Sequence, residues 1–235
     1  MSKFMAWYRS RELAGELINR FSEYEKQETD PKYHSDTKIS ADGSVTGIQW
    51  KNWMWSSEKF RCAHIEIVDA TLTKKMFIIH MFIYPHYDSP DPIFGFDIVC
   101  GPNKITGAFH DFSYIGYSDI YHSFQNRMGE YEWSKPRDLP EWAKQIFSPH
   151  MLAAGNIQTD EEFDQLKKVV IDNLDYYLYN IGNRDASKDF SLLHDRYCKY
   201  QKQNPHTPAM METFGVNKEL FAEFMDKVLF PEKDG

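Results

Sequence analysis

The sequence predicts an α+β fold, a three-layer α/β/α sandwich in which helices flank a central antiparallel β-sheet. Three observations predict it: a helical apolar period near the N-terminus, a block of short apolar runs from residue 45 to 112, and a second helical region after about residue 115. The chain has 235 residues, of which 42% are hydrophobic and 26% charged, so it can bury one substantial core. We therefore expect a single domain over residues 1–235.

The N-terminal region predicts one helix followed by a loop. Residues 4–25 carry apolar side chains at mostly helical spacing, namely Phe4, Trp7, Leu13, Leu17, Ile18 and Phe21. Residues 26–43 are polar and contain Pro31 and the pair Asp42-Gly43, which are typical of turns. We expect this second segment to be a loop that ends in a turn.

The central region predicts an antiparallel meander. Its six apolar runs are VTGIQW, NWMWS, FRCAHIEIVDA, KMFIIHMFIYP, PIFGFDIVC and ITGAFHDF. The connections between these runs are too short to hold crossover helices, so neighbouring strands must run antiparallel.

The C-terminal region predicts three further helices. An apolar stripe from Phe163 to Ile181 follows Thr159 and three acidic residues, a pattern typical of a capped helix start with carboxylates at the positive end of the helix dipole. Two more helices are expected at about 187–203 and 217–230.

Charge and hydropathy exclude several classes of protein. The net charge of −8 argues against nonspecific binding to nucleic acid or to an anionic membrane. No apolar run reaches the roughly 18 residues of a membrane span, and the N-terminus MSKFMAWYRSREL lacks a signal-peptide core, so we expect a cytoplasmic protein. Cys62, Cys100 and Cys198 are widely spaced, which indicates reduced thiols rather than disulfides or a zinc site.

Ionisable residues interrupt three successive strands. Side chains alternate faces along a strand, so Glu66, His80 and Asp97 converge on one face if these strands are neighbours. Taken alone, each has an ordinary explanation, such as a satisfied core histidine or a carboxylate that caps a turn. Taken together, they indicate proton transfer, because an Asp and a His in a cleft of low dielectric constant have shifted pKa values.

A metal site is the alternative reading of the same residues. His64 and Glu66, with His80 or His110, could supply two imidazoles and one carboxylate to a non-haem iron. Other cofactor classes lack their usual signals, since the sequence contains no GxGxxG, P-loop, GxSxG or CxxCH motif.

Three motifs, FRCAHIEI, FIIHMFIYP and DPIFGFDIVCGP, resemble the ferredoxin-dependent bilin reductases in order and in the spacing from His80 to Asp97. The resemblance continues through ITGAFHDFS, PRDLPEWAKQIFS and RYCKYQKQN to MDKVLF, and it covers most of the chain after residue 55. It is strongest to the phycocyanobilin-forming members and their viral, phycoerythrobilin-forming relatives.

The resemblance implies a radical enzyme with no bound redox cofactor. Biliverdin IXα would lie between the sheet and the C-terminal helices, and reduced ferredoxin, a transient partner, would deliver electrons one at a time. Family members are commonly monomers, and the viral ones act in an infected cyanobacterial host cell. A basic rim would receive the acidic ferredoxin, with Lys104, Lys135, Arg137 and Lys202 as candidates.

The resemblance also implies roles for individual residues. Asp97 matches the central proton donor, His80 its partner on the opposite side of the bilin lactams, and Glu66 the carboxylate that serves reduction of the D-ring vinyl group. Five residues are expected to bind the substrate. His64 matches a residue of the proton network, and the other four match positions near the propionates or on the C-terminal side, namely Thr106, Arg137, Asn204 and His206.

One departure from the family pattern affects the expected product. Pro205 stands where members of the family commonly have a carboxylate, and His206 stands where the phycocyanobilin-forming enzyme has a lysine. This altered site favours phycoerythrobilin, formed through 15,16-dihydrobiliverdin in two two-electron steps. The retained Glu66 favours phycocyanobilin, and a non-catalytic bilin carrier is a further alternative.

Overall fold

The apolar runs of the central region form a meander, as predicted. In chain order the strands are β1 (Glu25–Gln27), β2 (Lys38–Ile39), β3 (Val45–Thr46), β4 (Gln49–Ser56), β5 (Phe60–Ala70), β6 (Met76–Pro85), β7 (Ile93–Cys100), β8 (Ile105–Ser113) and β9 (Leu152–Ala154). The computed structural model describes residues 4–128 and 131–233. Seven strands form one antiparallel sheet in the order β1-β4-β5-β6-β7-β8-β9, and β2 pairs with β3 in a separate ribbon.

Helices cover both faces of this sheet, which confirms the three-layer sandwich. They are α1 (Ala6–Asn19), α2 (Asp119–Met128), α3 (Glu141–Lys144), α4 (Asp160–Asn180), α5 (Ser191–Gln201), α6 (His206–Thr213) and α7 (Lys218–Phe224). One apolar core joins α1, α2 and α4 to one face, and a second core joins α5, α6 and α7 to the other. Among the described residues, no helix is both long and apolar enough to cross a bilayer.

One strand prediction and one loop prediction were wrong in detail. The run VTGIQW does not form one strand, because Gly47 adopts a φ of 74° and separates β3 from β4. The predicted loop over residues 26–43 contains a 3₁₀ turn, Pro31–Tyr33, and β2, and its first residues belong to β1. Because β1 is only three polar residues long, its backbone pairing with β4 rather than its sequence pattern defines it.

Helices α1, α4, α5 and α7 lie close to the positions expected, with differences at the ends, whereas α2, α3 and α6 were not predicted. The first helix stops at Asn19 rather than near residue 25, and a turn then leads into β1. The last predicted helix is α7 followed by a π-helical turn, Met225–Leu229. The start of α4 agrees with the sequence, since the Thr159 hydroxyl accepts a hydrogen bond from the Glu162 N–H.

Alternation along the strands divides their side chains between the two cores. On β6, Ile79, Met81 and Ile83 pack toward the α1/α4 layer, and Ile78, Phe82 and Tyr84 toward the α5/α7 layer. Glu66, His80 and Asp97 of the middle strands fall on this second face. The three cysteines are unpaired, in agreement with the expectation of free thiols.

Candidate active site

The predicted convergence of three ionisable side chains is confirmed by the strand register. Glu66 on β5 pairs directly with His80 on β6, and His80 pairs directly with Asp97 on β7. Direct cross-strand partners on one face have Cβ atoms roughly 4.5–5.5 Å apart, so the three side chains form a continuous row across the sheet.

This row lies on the wall of a cavity of about 760 Å³ between the sheet and the C-terminal helices. The volume falls within the range typical of sites for drug-sized ligands, which is roughly 300–1,000 Å³. Its wall is mostly apolar and aromatic, with residues from the sheet and from the helical layer that include Val68, Ile78, Phe96, Val99, Phe109, Trp142, Phe147, Met210, Leu229 and Phe230.

Glu66 is held by two neighbours. The Trp50 indole donates a hydrogen bond of 2.6 Å to Glu66 Oε1, and Glu66 Oε2 lies 3.8 Å from His80 Nδ1. Burial raises the pKa of Glu66 to about 7; the Trp50 hydrogen bond partly opposes this shift, and the nearby Asp97 carboxylate adds to it. Glu66 is therefore partly protonated at neutral pH.

Asp97 and His80 are shifted in opposite directions by the same cause. Burial raises the pKa of Asp97 to about 7 and lowers that of His80 to about 4, because a low-dielectric environment disfavours the charged form of each. Near neutral pH the row thus contains a neutral imidazole between two carboxyl groups that can each gain or lose a proton. Such an arrangement suits general acid–base chemistry at that pH.

His64 lies behind the cavity wall and is completely buried. Its ring packs against Phe82, with ring centroids 5.0 Å apart, and its Nε2 is 2.9 Å from Asn52 Oδ1. Direct contact with a ligand in the cavity would require its neighbours to move, so the structure places His64 in a supporting position.

Arg137 and Thr106 lie together at one end of the cavity. Arg137 Nη1 donates a long hydrogen bond of 3.4 Å to the Thr106 carbonyl, and its guanidinium lies 5.5 Å from the centre of the Phe109 ring. The Thr106 hydroxyl donates to the Val99 carbonyl at 2.9 Å, although it can still accept a hydrogen bond from a ligand.

Two glycines make room for this arginine. A Cβ on Gly107 would lie 2.8 Å from Arg137 Nη1, and a Cβ on Gly155 would lie 3.1 Å from Arg137 Cδ. Neither glycine was singled out from the sequence, because the requirement arises from a long side chain that crosses from another segment.

Asn204 and His206 border the cavity at the start of α6. Asn204 Oδ1 accepts a hydrogen bond from the His206 N–H, and Asn204 Nδ2 donates to Thr207 Oγ1, so the amide supports the helix start. Pro205 occupies the N-cap position, where its missing N–H costs no helical hydrogen bond. The His206 side chain is exposed, which leaves it available to a charged ligand group.

The alternative iron site does not assemble. His110 faces the α2/α4 layer, where its ring lies 4.8 Å from that of Phe94 and its Nε2 lies 3.2 Å from Asn173 Nδ2, whereas His64 faces the opposite layer. Over residues 4–128 and 131–233, no three His, Cys, Asp or Glu side chains come together as a metal-binding group.

Asp111 is a buried cavity residue that the sequence reasoning missed. It accepts hydrogen bonds from Ser113 Oγ and from the Ser148 N–H and hydroxyl, and it thereby fixes the segment that carries Phe147. Burial raises the pKa of Asp111 to about 6, and these hydrogen bonds oppose the shift. Its alternation with Phe109 along β8 is the sequence signal that could have revealed it.

The expected basic rim is altered at one of its four residues. Lys202 Nζ lies 2.7 Å from Asp226 and 3.0 Å from Glu232, so two carboxylates offset its charge. Lys104 Nζ, in contrast, bonds the uncharged Asn156 side chain at 3.3 Å and keeps its positive field.

The sandwich, the cavity and the row of ionisable residues are those of an enzyme that binds a flat ligand and moves protons, and comparison with known proteins gives the family. The family model described as ferredoxin-dependent bilin reductase matches residues 14–231. The chain belongs to the ferredoxin-dependent bilin reductase family, and it is a ferredoxin-dependent bilin oxidoreductase.

Relatives in cyanobacteria carry a more specific name. The chain is 28% identical to phycocyanobilin:ferredoxin oxidoreductase of Trichodesmium erythraeum strain IMS101, over 69% of this chain and 68% of the relative. It is also 28% identical to the protein of that name from Prochlorococcus marinus strain MIT 9313, over 80% of this chain and 75% of the relative.

Two solved structures share the fold at low sequence identity. The first, a protein named PcyX, has a TM-score of 0.62 and 21% identity, and the match covers 94% of this chain and 96% of that one. The second, tomato phytochromobilin synthase in complex with biliverdin, has a TM-score of 0.67 and 14% identity, over 95% of this chain and 82% of that one.

Proposed function

We propose that this protein reduces biliverdin IXα to a phycobilin, with electrons taken one at a time from reduced ferredoxin and protons handled by Asp97, His80 and Glu66. The observation that carries the proposal is the row of these three side chains across β5, β6 and β7 on the wall of one cavity. The biliverdin in the tomato phytochromobilin synthase structure, which has the same fold, supports the choice of substrate.

The cavity suits a flat, apolar molecule with acidic substituents. Its apolar and aromatic wall can cover the tetrapyrrole, and Arg137 at one end can pair with a propionate through a bidentate, charge-assisted hydrogen bond. Thr106 lies beside Arg137, and Asn204 and His206 provide polar groups at the start of α6. We assign these residues to substrate binding and His64 to the support of the proton-handling row.

The three ionisable residues divide the proton chemistry among them. Asp97, with its pKa raised to about 7, is protonated in a large fraction of molecules near neutral pH and can donate a proton to the bilin as it is reduced. His80 is neutral at that pH and can accept a proton or a hydrogen bond from the substrate. Glu66 lies against His80 and serves as a second carboxylic acid.

The stoichiometry defines how often these groups must act. Saturation of one double bond takes two electrons from ferredoxin and two protons from the protein and solvent. Formation of phycoerythrobilin from biliverdin saturates two double bonds, so four electrons and four protons are consumed. The row must therefore be reprotonated between the two reductions.

We propose phycoerythrobilin, formed through 15,16-dihydrobiliverdin, as the product. Pro205 supports this choice, because proline offers no acidic group where members of the family commonly have a carboxylate, and an altered site at this position together with the His80/Asp97 pair resembles the viral, phycoerythrobilin-forming relatives. Phycocyanobilin is the second candidate, and it is favoured by the position of Glu66 on the cavity wall and by the name of the cyanobacterial relatives.

An anaerobic assay tests the proposal. Protein, biliverdin IXα, ferredoxin and a ferredoxin-reducing system are combined, and products are followed by absorbance and by chromatography against bilin standards. We expect dihydrobiliverdin to appear first and phycoerythrobilin to accumulate. Phycocyanobilin would overturn the product assignment, and unchanged biliverdin that stays bound would indicate a carrier.

A further inference from the structure

Asn52 is a buried amide on β4 that lies between a backbone carbonyl and His64. Its Nδ2 lies 2.5 Å from the Tyr33 carbonyl oxygen, and its Oδ1 lies 2.9 Å from His64 Nε2. Asn52 and Tyr33 are each only 4% exposed, and His64 is not exposed at all. The three groups thus form a buried chain of hydrogen bonds.

The chemistry of this chain determines which atom of each group carries hydrogen. A carbonyl oxygen can only accept, so the Asn52 group that faces Tyr33 must be the NH₂. The opposite orientation would place the Asn52 oxygen against the Tyr33 oxygen in a buried site, where an unsatisfied polar pair is costly. The Asn52 oxygen therefore faces His64, and an oxygen needs a donor. His64 Nε2 must carry the proton.

Surroundings of the ring keep His64 in its neutral form. Phe82 and Phe224 lie 5.0 and 6.0 Å from the ring, and burial lowers the pKa of His64 well below its ordinary value. Because a neutral imidazole has one N–H and Nε2 holds it, Nδ1 is left with a lone pair. Among the described residues, no hydrogen-bond donor reaches this Nδ1.

We propose that Asn52 is a positioning residue that fixes His64 as the Nε2–H tautomer, with Nδ1 as a hydrogen-bond acceptor only. His64 then stays neutral and presents only a lone pair at Nδ1, so it has no proton to donate from that atom. The tautomer follows from the Tyr33–Asn52–His64 chain alone, and its catalytic meaning rests on the proposed function.

Nuclear magnetic resonance of the substrate-free protein labelled with ¹⁵N in its nine histidines tests this assignment. The His64 signals are identified by their loss in His64→Gln. We expect a pyrrole-type Nε2 and a pyridine-type Nδ1 at pH 7, with a slowly exchanging, hydrogen-bonded Nε2 proton. A protonated Nδ1 in the wild-type protein would overturn the proposal.

Two variants separate the effect of the Asn52 amide on the His64 tautomer from a general disturbance of the surrounding structure. Asn52→Leu removes the acceptor, so the ratio of the Nδ1–H to the Nε2–H tautomer should rise by about 2- to 10-fold, and the Nε2 proton should exchange faster. Met54→Leu is the matched control, because Met54 pairs with His64 in the strand register and its side chain offers no comparable acceptor. An unchanged tautomer ratio in Asn52→Leu would also overturn the proposal.

A smaller substitution and the activity assay complete the design. Asn52→Ala, which adds no bulk, replaces the leucine variant if the latter does not fold. Since the spectra are recorded without bilin or ferredoxin, a wild-type protein that fails to reduce biliverdin would refute the proposed function and leave the tautomer assignment standing.

Discussion

Asp97 is the direct cross-strand neighbour of His80, and both side chains lie on the same wall of the cavity. Burial raises the pKa of Asp97 to about 7 and lowers that of His80 to about 4, so the pair holds one carboxyl proton near neutral pH in about half of the molecules. This relationship makes Asp97 the residue whose substitution is most informative.

Asp97→Asn should bind biliverdin with near wild-type affinity but turn over about 10²–10⁴-fold more slowly, because an amide cannot donate a proton as a carboxylic acid does. Binding is measured by absorbance titration, turnover by the anaerobic assay, and a stalled bilin radical by electron paramagnetic resonance. Asp138→Asn at the exposed mouth of the cavity is the matched control. Wild-type turnover in Asp97→Asn would rule out Asp97 as the donor.

The raised pKa of Asp97 also predicts how stability depends on pH. The folded carboxyl binds its proton with a pKa of about 7 instead of 3.8, so between these values the native state holds more protons than the unfolded state. The Asp97 contribution to the free energy of unfolding therefore falls as pH rises from about 4 to about 7, by at most about 4 kcal/mol at ~1.4 kcal/mol per pKa unit.

Comparison of two proteins isolates this contribution. Burial also lowers the pKa of four histidines, namely His64, His80, His110 and His194. Their contribution to the free energy of unfolding rises with pH up to about 6.5, which is opposite to the contribution of Asp97. Urea denaturation gives the free energy of unfolding of wild type and of Asp97→Asn at pH 5 and pH 8. The difference between the two proteins at each pH cancels the histidine contributions, which they share. Asp97→Asn should gain stability relative to wild type at pH 8, and a constant difference between the two pH values would contradict the shift.

Gly107→Ala should weaken substrate binding. The added Cβ would lie 2.8 Å from Arg137 Nη1 and 3.0 Å from Phe109 Cε2, so both the flexible end of the arginine and the Phe109 ring on the cavity wall must shift. Loss of one charge-assisted hydrogen bond to a propionate is worth about 1.5–3 kcal/mol, so the dissociation constant of biliverdin should rise about 10- to 100-fold.

A matched glycine controls for the loss of backbone freedom. A Cβ on Gly101 meets nothing nearer than the Lys104 carbonyl at 4.0 Å, so Gly101→Ala should bind biliverdin like wild type. Arg137→Gln should reproduce the effect of Gly107→Ala. If Gly107→Ala binds normally while Arg137→Gln does not, the alanine does not displace the arginine.

Much of the site was predictable because strand alternation is a local property of the chain. The shared face of Glu66, His80 and Asp97 follows from their positions in three consecutive strands, and the short turns make those strands neighbours. The partners supplied by distant segments were not predictable: Trp50 reaches Glu66 from β4, and Ser148 reaches Asp111 from a loop. Strands as short as β1 and β9 were missed because backbone pairing, not side-chain pattern, holds them.

Asp111→Asn should destabilise the cavity wall. The Asp111 carboxylate accepts hydrogen bonds from Ser113 and Ser148, and an amide loses its charge and keeps all three contacts only if a serine hydroxyl turns to accept, at a cost of about 1–3 kcal/mol. We expect a lower free energy of unfolding in urea and faster hydrogen exchange in residues 147–151. Ser187→Ala, which removes an exposed hydroxyl bound to Asp185, is the control. Unchanged exchange in this segment would show that Asp111 does not hold it.

The ferredoxin surface can be tested by charge, since an acidic partner binds through a basic rim and salt weakens such attraction. Turnover at limiting ferredoxin should fall as ionic strength rises. Lys104→Gln should raise the KM for ferredoxin about 2- to 5-fold, as expected for an exposed charge pair worth about 0.2–1 kcal/mol. Lys202→Gln should change it less, because Asp226 and Glu232 already offset that charge. Equal effects of the two substitutions, or rates independent of salt, would place the docking surface elsewhere.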